Sequence, residues 1–233
     1  MTSGGTHLNG DGTVAAPRRR GRHRIVLGYA AGVGKTYAML AEARDRISCG
    51  QDVVIGLIEP HVRPDTAALA KGIEVVPMRR IDYHDGVFEE LDAEAVVERA
   101  PEWVLVDELA HAHVPGTGHV KRWEAVEGIL DSGIGVLSTV NVQHVESLND
   151  TMFQITGVRM TETVPDRVIQ QADGIVLVDV SPDELLERLR RGAVVERDEI
   201  GEALTHFFQR PVLVALREQA RAIVACGGER SRT

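Results

Sequence analysis

Gly28-Tyr29-Ala30-Ala31-Gly32-Val33-Gly34-Lys35-Thr36 follows the apolar run Ile25–Leu27 and leads into a stretch of helical spacing that stops at Gly50. A glycine-rich turn closed by Gly-Lys-Thr, between a strand and a helix, is the context a phosphate-binding loop requires. Glycines let successive N–H groups point into one concavity, and the helix start adds unpaired N–H groups and the positive end of its dipole. Lys35 is then placed to reach the β- and γ-phosphates of a nucleotide, and the Thr36 hydroxyl to ligate Mg²⁺. Gly28, Gly32, Val33, Gly34, Lys35 and Thr36 are the nucleotide-binding candidates. The strict spacing asks for glycine where Tyr29 stands, with Gly28 one place early. The bland alternative is a glycine-rich turn with an incidental lysine. Base usage speaks against it: of 26 basic residues only Lys35, Lys71 and Lys121 are lysine. A planar guanidinium does not replace a compact charge threaded into such a loop.

Outward from the loop, Trp103–Val106 is a strand-length apolar run ending in Asp107-Glu108. This is the place of a Walker B acid, expected on a strand adjacent to the loop strand. Asp107 would hold Mg²⁺ through water, and Glu108 would orient or deprotonate an attacking water. The strand over 136–140 ends at Asn141; Thr139 and Asn141 are candidates to sense the γ-phosphate, with capping of the next helix as the alternative for Asn141. His111, His113 and His119 raise a zinc site that lacks an evident fourth ligand. Lys121-Arg122 reads as a solvated helix start, or as a cation offered to phosphate.

Further strand-length runs lie at Val53–Ile58, Ile134–Val140 and Ile175–Val180, with helical spacing between them. The expected fold is α/β, a P-loop NTPase-like, mostly parallel sheet flanked by helices. Asp92–Ala100 reads as a helix, and Val145, Leu148, Met152 and Ile155 as one helical face ending at Gly157. Ser181-Pro182-Asp183-Glu184 starts another, with Ser as N-cap and Pro at the first helical position. Val212–Leu216 is expected to add a strand. Residues 1–23 read as a basic disordered tail, 24–218 as the nucleotide-binding domain and 219–233 as a C-terminal extension.

The formal charge is −9, and it is uneven: +4 over residues 1–24, +2 over 217–233 and −15 between. That argues against nucleic acid as a partner, because non-specific binding needs a cationic face. No uncharged stretch approaches the roughly 18–20 residues of a membrane span. Arg18-Arg19-Arg20 resembles a twin-arginine signal only faintly, since the run after it is glycine-rich and stops at Lys35. Two well-separated cysteines, Cys49 and Cys226, suggest neither a disulfide framework nor a thiolate metal site, which fits a reducing cytoplasm.

With these residues in hand, the chain resembles the N-terminal cytoplasmic domain of KdpD-type potassium-sensor histidine kinases. The family's loop, Gly-x-x-Pro-Gly-x-Gly-Lys-Thr, places its first glycine as Gly28 is placed, with Ala31 where proline is usual. Its Val-Asp-Glu-Leu-Ala-His stands as Val106–His111, its Pro-Gly-x-x-His-x-Lys-Arg-Trp as Pro115–Trp123, and its Asn-Val-Gln-His-x-Glu-Ser-Leu-Asn-Asp as Asn141–Asp150. Ile155–Val158, Glu162–Arg167 and Ala215–Glu218 match as well, so the resemblance covers about residues 24–218. It implies an ATP-binding regulatory domain in a two-component system that controls potassium uptake. The implied partners are ATP, other sensor-kinase domains, response-regulator components and a second copy of the chain. After Glu218 the sequence leaves the family pattern, and the universal-stress-like domain, membrane helices and kinase core are not found in it. A stand-alone version and a fragment are both expected forms.

The reading from sequence is thus a regulatory Mg·ATP-binding domain with slow hydrolysis at most. A small-molecule phosphotransferase is the alternative; it needs charge-neutralising arginines over an acceptor, for which Arg63, Arg79 and Arg80 are the candidates. A GTPase lacks its Asn-Lys-x-Asp motif here, and a scaffold with an inactive loop is the bland remainder.

Overall fold

The computed structural model describes residues 19–59, 64–84, 86–114, 118–194, 200–205 and 207–228. Most of the basic tail, Arg63, Pro115-Gly116 and the last residues of the C-terminal extension lie outside them. Elements run in the order β1 (His23–Gly28), α1 (Lys35–Ser48), β2 (Val53–Leu57), α2 (Pro64–Ala70), β3 (Glu74–Val75), β4 (Arg79–Tyr83), β5 (Gly86–Glu90), α3 (Ala93–Arg99) and β6 (Trp103–Val106). Then come α4 (Arg122–Asp131), β7 (Gly135–Asn141), α5 (Asn149–Thr156), α6 (Asp166–Gln170), β8 (Gly174–Leu177), α7 (Pro182–Arg190), α8 (Ile200–Thr205) and α9 (Arg210–Gly228).

Six strands form one sheet in the order β3-β2-β6-β7-β1-β8, and all its pairings are parallel. A parallel sheet is covered on both faces, and its inner strands β2 and β6 are apolar and buried throughout. β1 shows the division of labour: Ile25 and Leu27 pack into one core, and Val26 into the other with Met39, Leu40 and Ala43 of α1. The larger core takes Val126, Ile129 and Leu130 of α4, Met152 of α5, Leu185 and Leu189 of α7 and Leu213 of α9. The α/β expectation holds.

Three readings need correction. Val212–Leu216 lies inside α9, where Leu213, Leu216 and Ala220 are fully buried at helical spacing; a short apolar run carries no periodicity of its own to tell the two forms apart. The acidic strand β6 is not adjacent to β1, because β7 lies between them. The face read from Val145 becomes a helix only at Asn149. Before it come two 3₁₀ turns, with Val145 extended and bridged to Val164. The antiparallel β4–β5 pair has no counterpart in the sequence reading. Charged residues interrupt both strands, and two residues of β4 and three of β5 are exposed, so no apolar run marks them.

Candidate functional site

The loop after β1 opens on a cleft of about 910 Å³ at the C-terminal edge of the sheet. Ligands of open α/β sheets bind outside the carboxyl ends of the strands. Gly32, Val33, Gly34, Lys35, Thr36, Asp107 and Glu108 all line it; Gly28 and Asn141 do not. Gly28 contributes from behind. A Cβ there would stand 2.8 Å from Cγ and Cδ of Lys35 and from Val33 Cγ2, so glycine lets the lysine fold back along the loop. Gly34 caps α1 at φ 107°, a left-handed conformation that disfavours a side chain. Tyr29, at the position of the strict-pattern glycine, turns into the core, where burial raises its hydroxyl pKa to about 12.

Loop and acidic strand meet through side chains. Thr36 Oγ1 donates to Asp107 Oδ2 at 2.9 Å, and Lys35 Nζ lies 3.7 Å from Glu108 Oε1. Thr139 of the intervening β7 joins them: its hydroxyl donates to Asp107 Oδ1 at 2.5 Å and accepts from the Glu108 N–H at 3.0 Å. Of the two sensor candidates, Thr139 is therefore bonded into the acidic pair. Asn141 is buried beside Gly28 in register, makes no capping bond to the following turn, and its Oδ1 has no hydrogen-bond partner among the described residues.

Glu108 has φ 49°, uncommon for a residue with a side chain. Such backbone persists where the surroundings over-determine it. Arg122 supplies the constraint. Only 2% exposed, its Nη1 donates to the carbonyls of Asp107 (3.0 Å) and Glu108 (3.2 Å) and to Glu59 Oε1 (3.0 Å), and Nη2 lies 3.6 Å from Glu90 Oε2. The reading of Lys121-Arg122 as a solvated helix start therefore fails for Arg122. Lys121 precedes α4 and reaches Thr161 O at 3.4 Å, away from the cleft lining.

His113 is buried behind this turn, whereas His111 lines the cleft. His111 Nε2 is 3.5 Å from Glu90 Oε1 and its Nδ1 3.6 Å from Glu162 Oε1; His113 Nε2 is 3.7 Å from Glu90 Oε2. Burial lowers the pKa of His113 to about 4, with Arg122, His111 and His119 adding to it and Glu90 opposing. Burial pushes the Glu90 carboxyl up, but the two histidines, the Val114 N–H and Arg122 outweigh it and its pKa lies below the usual range. Among the described residues no group of three His, Cys, Asp or Glu side chains is arranged to hold a metal ion.

Arg188 of α7 is a cleft residue that the sequence reading missed. Its Nη1 donates to the carbonyls of Gly32 (3.3 Å) and Val33 (3.1 Å), across 155 positions of chain from Val33. No local pattern announces such a contact. Arg79 instead holds Asp92 and Glu94, and Arg80 lies 4.0 Å from Glu89 on the hairpin.

The match to known proteins is as extensive as these motifs suggest. The family described as the KdpD "Osmosensitive K+ channel His kinase sensor domain" matches residues 19–226. The chain belongs to the KdpD sensor-domain family. A relative from Synechocystis sp. that carries the KdpD name is 50% identical over 212 residues, 91% of this chain and 57% of that protein. The sensor protein KdpD of Mycobacterium tuberculosis is 50% identical over 202 residues, 87% of this chain and 24% of the relative. That of Escherichia coli is 47% identical over 207 residues, 89% of this chain and 23% of the relative. The chain thus spans a little over half of the first relative and about a quarter of the others. No helix among the described residues is long and apolar enough to cross a membrane.

Proposed function

We propose that this KdpD sensor domain binds Mg·ATP in the cleft and serves as a cytoplasmic, nucleotide-responsive regulatory module of a potassium-sensing two-component kinase. The observation that carries the reading is the Thr36–Asp107 bond at 2.9 Å. It brings the loop hydroxyl and the strand-end carboxylate to one point, as a Mg²⁺ coordinated by one and held through water by the other requires. The donor set is all oxygen, which suits Mg²⁺.

The residues present fit the nucleotide. Lys35, 5% exposed, is the one buried ammonium in the cleft, and its paired carboxylate Glu108 lies at 3.7 Å. The N–H groups at the start of α1 supply the anion site. Bound Mg²⁺ would supply charge neutralisation at the β- and γ-phosphates. Lys35 grips the phosphates, Thr36 and Asp107 hold the ion, and the Arg122 and Thr139 bonds keep Asp107 and Glu108 in position. Glu108 is placed to orient water, which permits slow hydrolysis. Other domains of the sensor kinase and its response-regulator system are the proposed partners.

Calorimetric titration of ATP, ADP and GTP with and without Mg²⁺, on wild type and Lys35→Ala, tests this. Mg-dependent ATP binding that Lys35→Ala abolishes is the expected result; equal binding by both proteins would overturn it.

A further inference from the structure

We propose that the end of the cleft built by Val178, Val180, Arg188 and Val194 seats the nucleobase of the bound nucleotide. This rests on the P-loop reading above and adds where the rest of the ligand goes. The cleft is polarised along the sheet. Its carboxylates, Glu59, Asp65, Asp107, Glu108 and Glu162, come from segments on the β2, β6 and β7 side of β1. Past the loop, on the β8 side, the lining is Val178 and Val180 from the β8–α7 link, Arg188 from α7, and Val194. A triphosphate anchored at Lys35 and Thr36, with its metal ion toward Asp107, is repelled from the acidic end. Its uncharged, flat end is left facing the valines.

This end is built tightly against the loop. A Cβ on Gly32 would lie 2.5 Å from Val194 Cγ2, and one on Gly34 would lie 3.8 Å from Arg188 Nη1 and 4.0 Å from Val178 Cγ1. The link is also held from behind. Val178 N donates to Leu27 O at 2.9 Å, and Asp179, between the two cleft-lining valines, accepts from Arg217 and from Arg221 (2.7 Å) of α9. Alternation along an extended segment thus sends the valines to the cleft and the carboxylate away from it. Arg188 already donates to Gly32 O, Val33 O and Glu184 Oε1. Those bonds fix the guanidinium beside the loop, and its flat face can stack on a base as aromatic rings do.

The test compares Mg·ATP with Mg·tripolyphosphate, which carries the phosphates without base or ribose. By titration calorimetry at fixed Mg²⁺, wild type should bind ATP at least about fivefold more tightly, the low end of what one stacked base contributes. Val180→Phe, which fills the seat, should bring the two affinities to within about threefold while tripolyphosphate binding stays unchanged. Equal affinity of wild type for both ligands overturns the base seat and leaves the phosphate site standing. ATP binding by Val180→Phe at wild-type strength overturns it too. Binding of neither ligand by wild type overturns the P-loop reading itself. The wild-type comparison needs no variant and holds whether or not Val180→Phe folds.

Discussion

Glu108→Gln should tighten nucleotide binding even though it removes a residue placed to act on water. Among the described residues Glu108 is the carboxylate paired with Lys35, at 3.7 Å, and that pair must open when Lys35 turns to a phosphate. At an effective dielectric constant of about 20 the bare attraction is about 4 kcal/mol. The Glu108 side chain is 33% exposed, so water screens it, and about 1 kcal/mol is the realistic cost of opening the pair. Glutamine keeps the shape and removes the charge. It also removes repulsion between the carboxylate and the incoming phosphates, an effect of the same sign. The expected gain in ATP affinity is between about three- and tenfold, measured by calorimetry at fixed, saturating Mg²⁺. It should shrink as salt is raised, since the partly exposed carboxylate is screened. Phosphate release, where wild type shows any, should fall to background in the same variant. Equal or weaker ATP binding by Glu108→Gln would refute the competition between Glu108 and phosphate for Lys35.

Arg122→Met should destabilise the fold by about 3–5 kcal/mol, read as a lower urea midpoint, because it leaves Glu90 buried without its guanidinium and frees the carbonyls of the Asp107-Glu108 turn. Adding Glu90→Gln should recover part of that loss, since the two side chains face each other. Acid should weaken the protein through two buried histidines, His113 and His23. Burial lowers the pKa of His23 to about 4, with Arg20 helping and Asp173 opposing, and its Nε2 shares a 2.8 Å bond with Ser138 Oγ. Both bind a proton more readily unfolded, near pH 6.5, so their stabilisation is full above that and is lost as pH falls toward 4. Between pH 7 and pH 5 the loss is about 2 kcal/mol per histidine, read from urea midpoints; a midpoint unchanged over that range would contradict the buried, neutral state.

How much could be read ahead varied with how local the signal was. The turn after β1, α1 and the strand ending at Val106 are set by contiguous residues, and there the expected elements form. α7 starts as its residues say, with Ser181 Oγ accepting from Glu184 N at 3.1 Å and Pro182 at the first position. Contacts between distant segments left no such trace. That β7 separates β6 from β1 is a matter of strand order, which no spacing encodes, and with it comes the bonding of Thr139 to Asp107. Arg122 has a charged sequence signature and a buried environment, because its partners are two main-chain carbonyls and the carboxylates Glu59 and Glu90 from separate segments. Asn141 was legible as a residue but not as a site. It sits beside Gly28, behind the loop rather than on the cleft lining.

The acidic middle of the chain acquires a specific meaning from the cleft. Among the described residues five carboxylates line it against two side-chain cations, Lys35 and Arg188, and Arg188 is tied to loop carbonyls and Glu184. A ligand bearing several negative charges would then meet few cations in a basin of its own sign. Loop N–H groups supply only fractional charge. A divalent cation arriving with a nucleotide would alter this twice, neutralising phosphate and giving Asp107 a partner in place of the Thr36 hydroxyl. On the proposed reading, carboxylates that repel a bare triphosphate would favour its Mg²⁺ complex, so in a protein of net charge −9 the acidity around the loop would select the metal-bound form of the nucleotide.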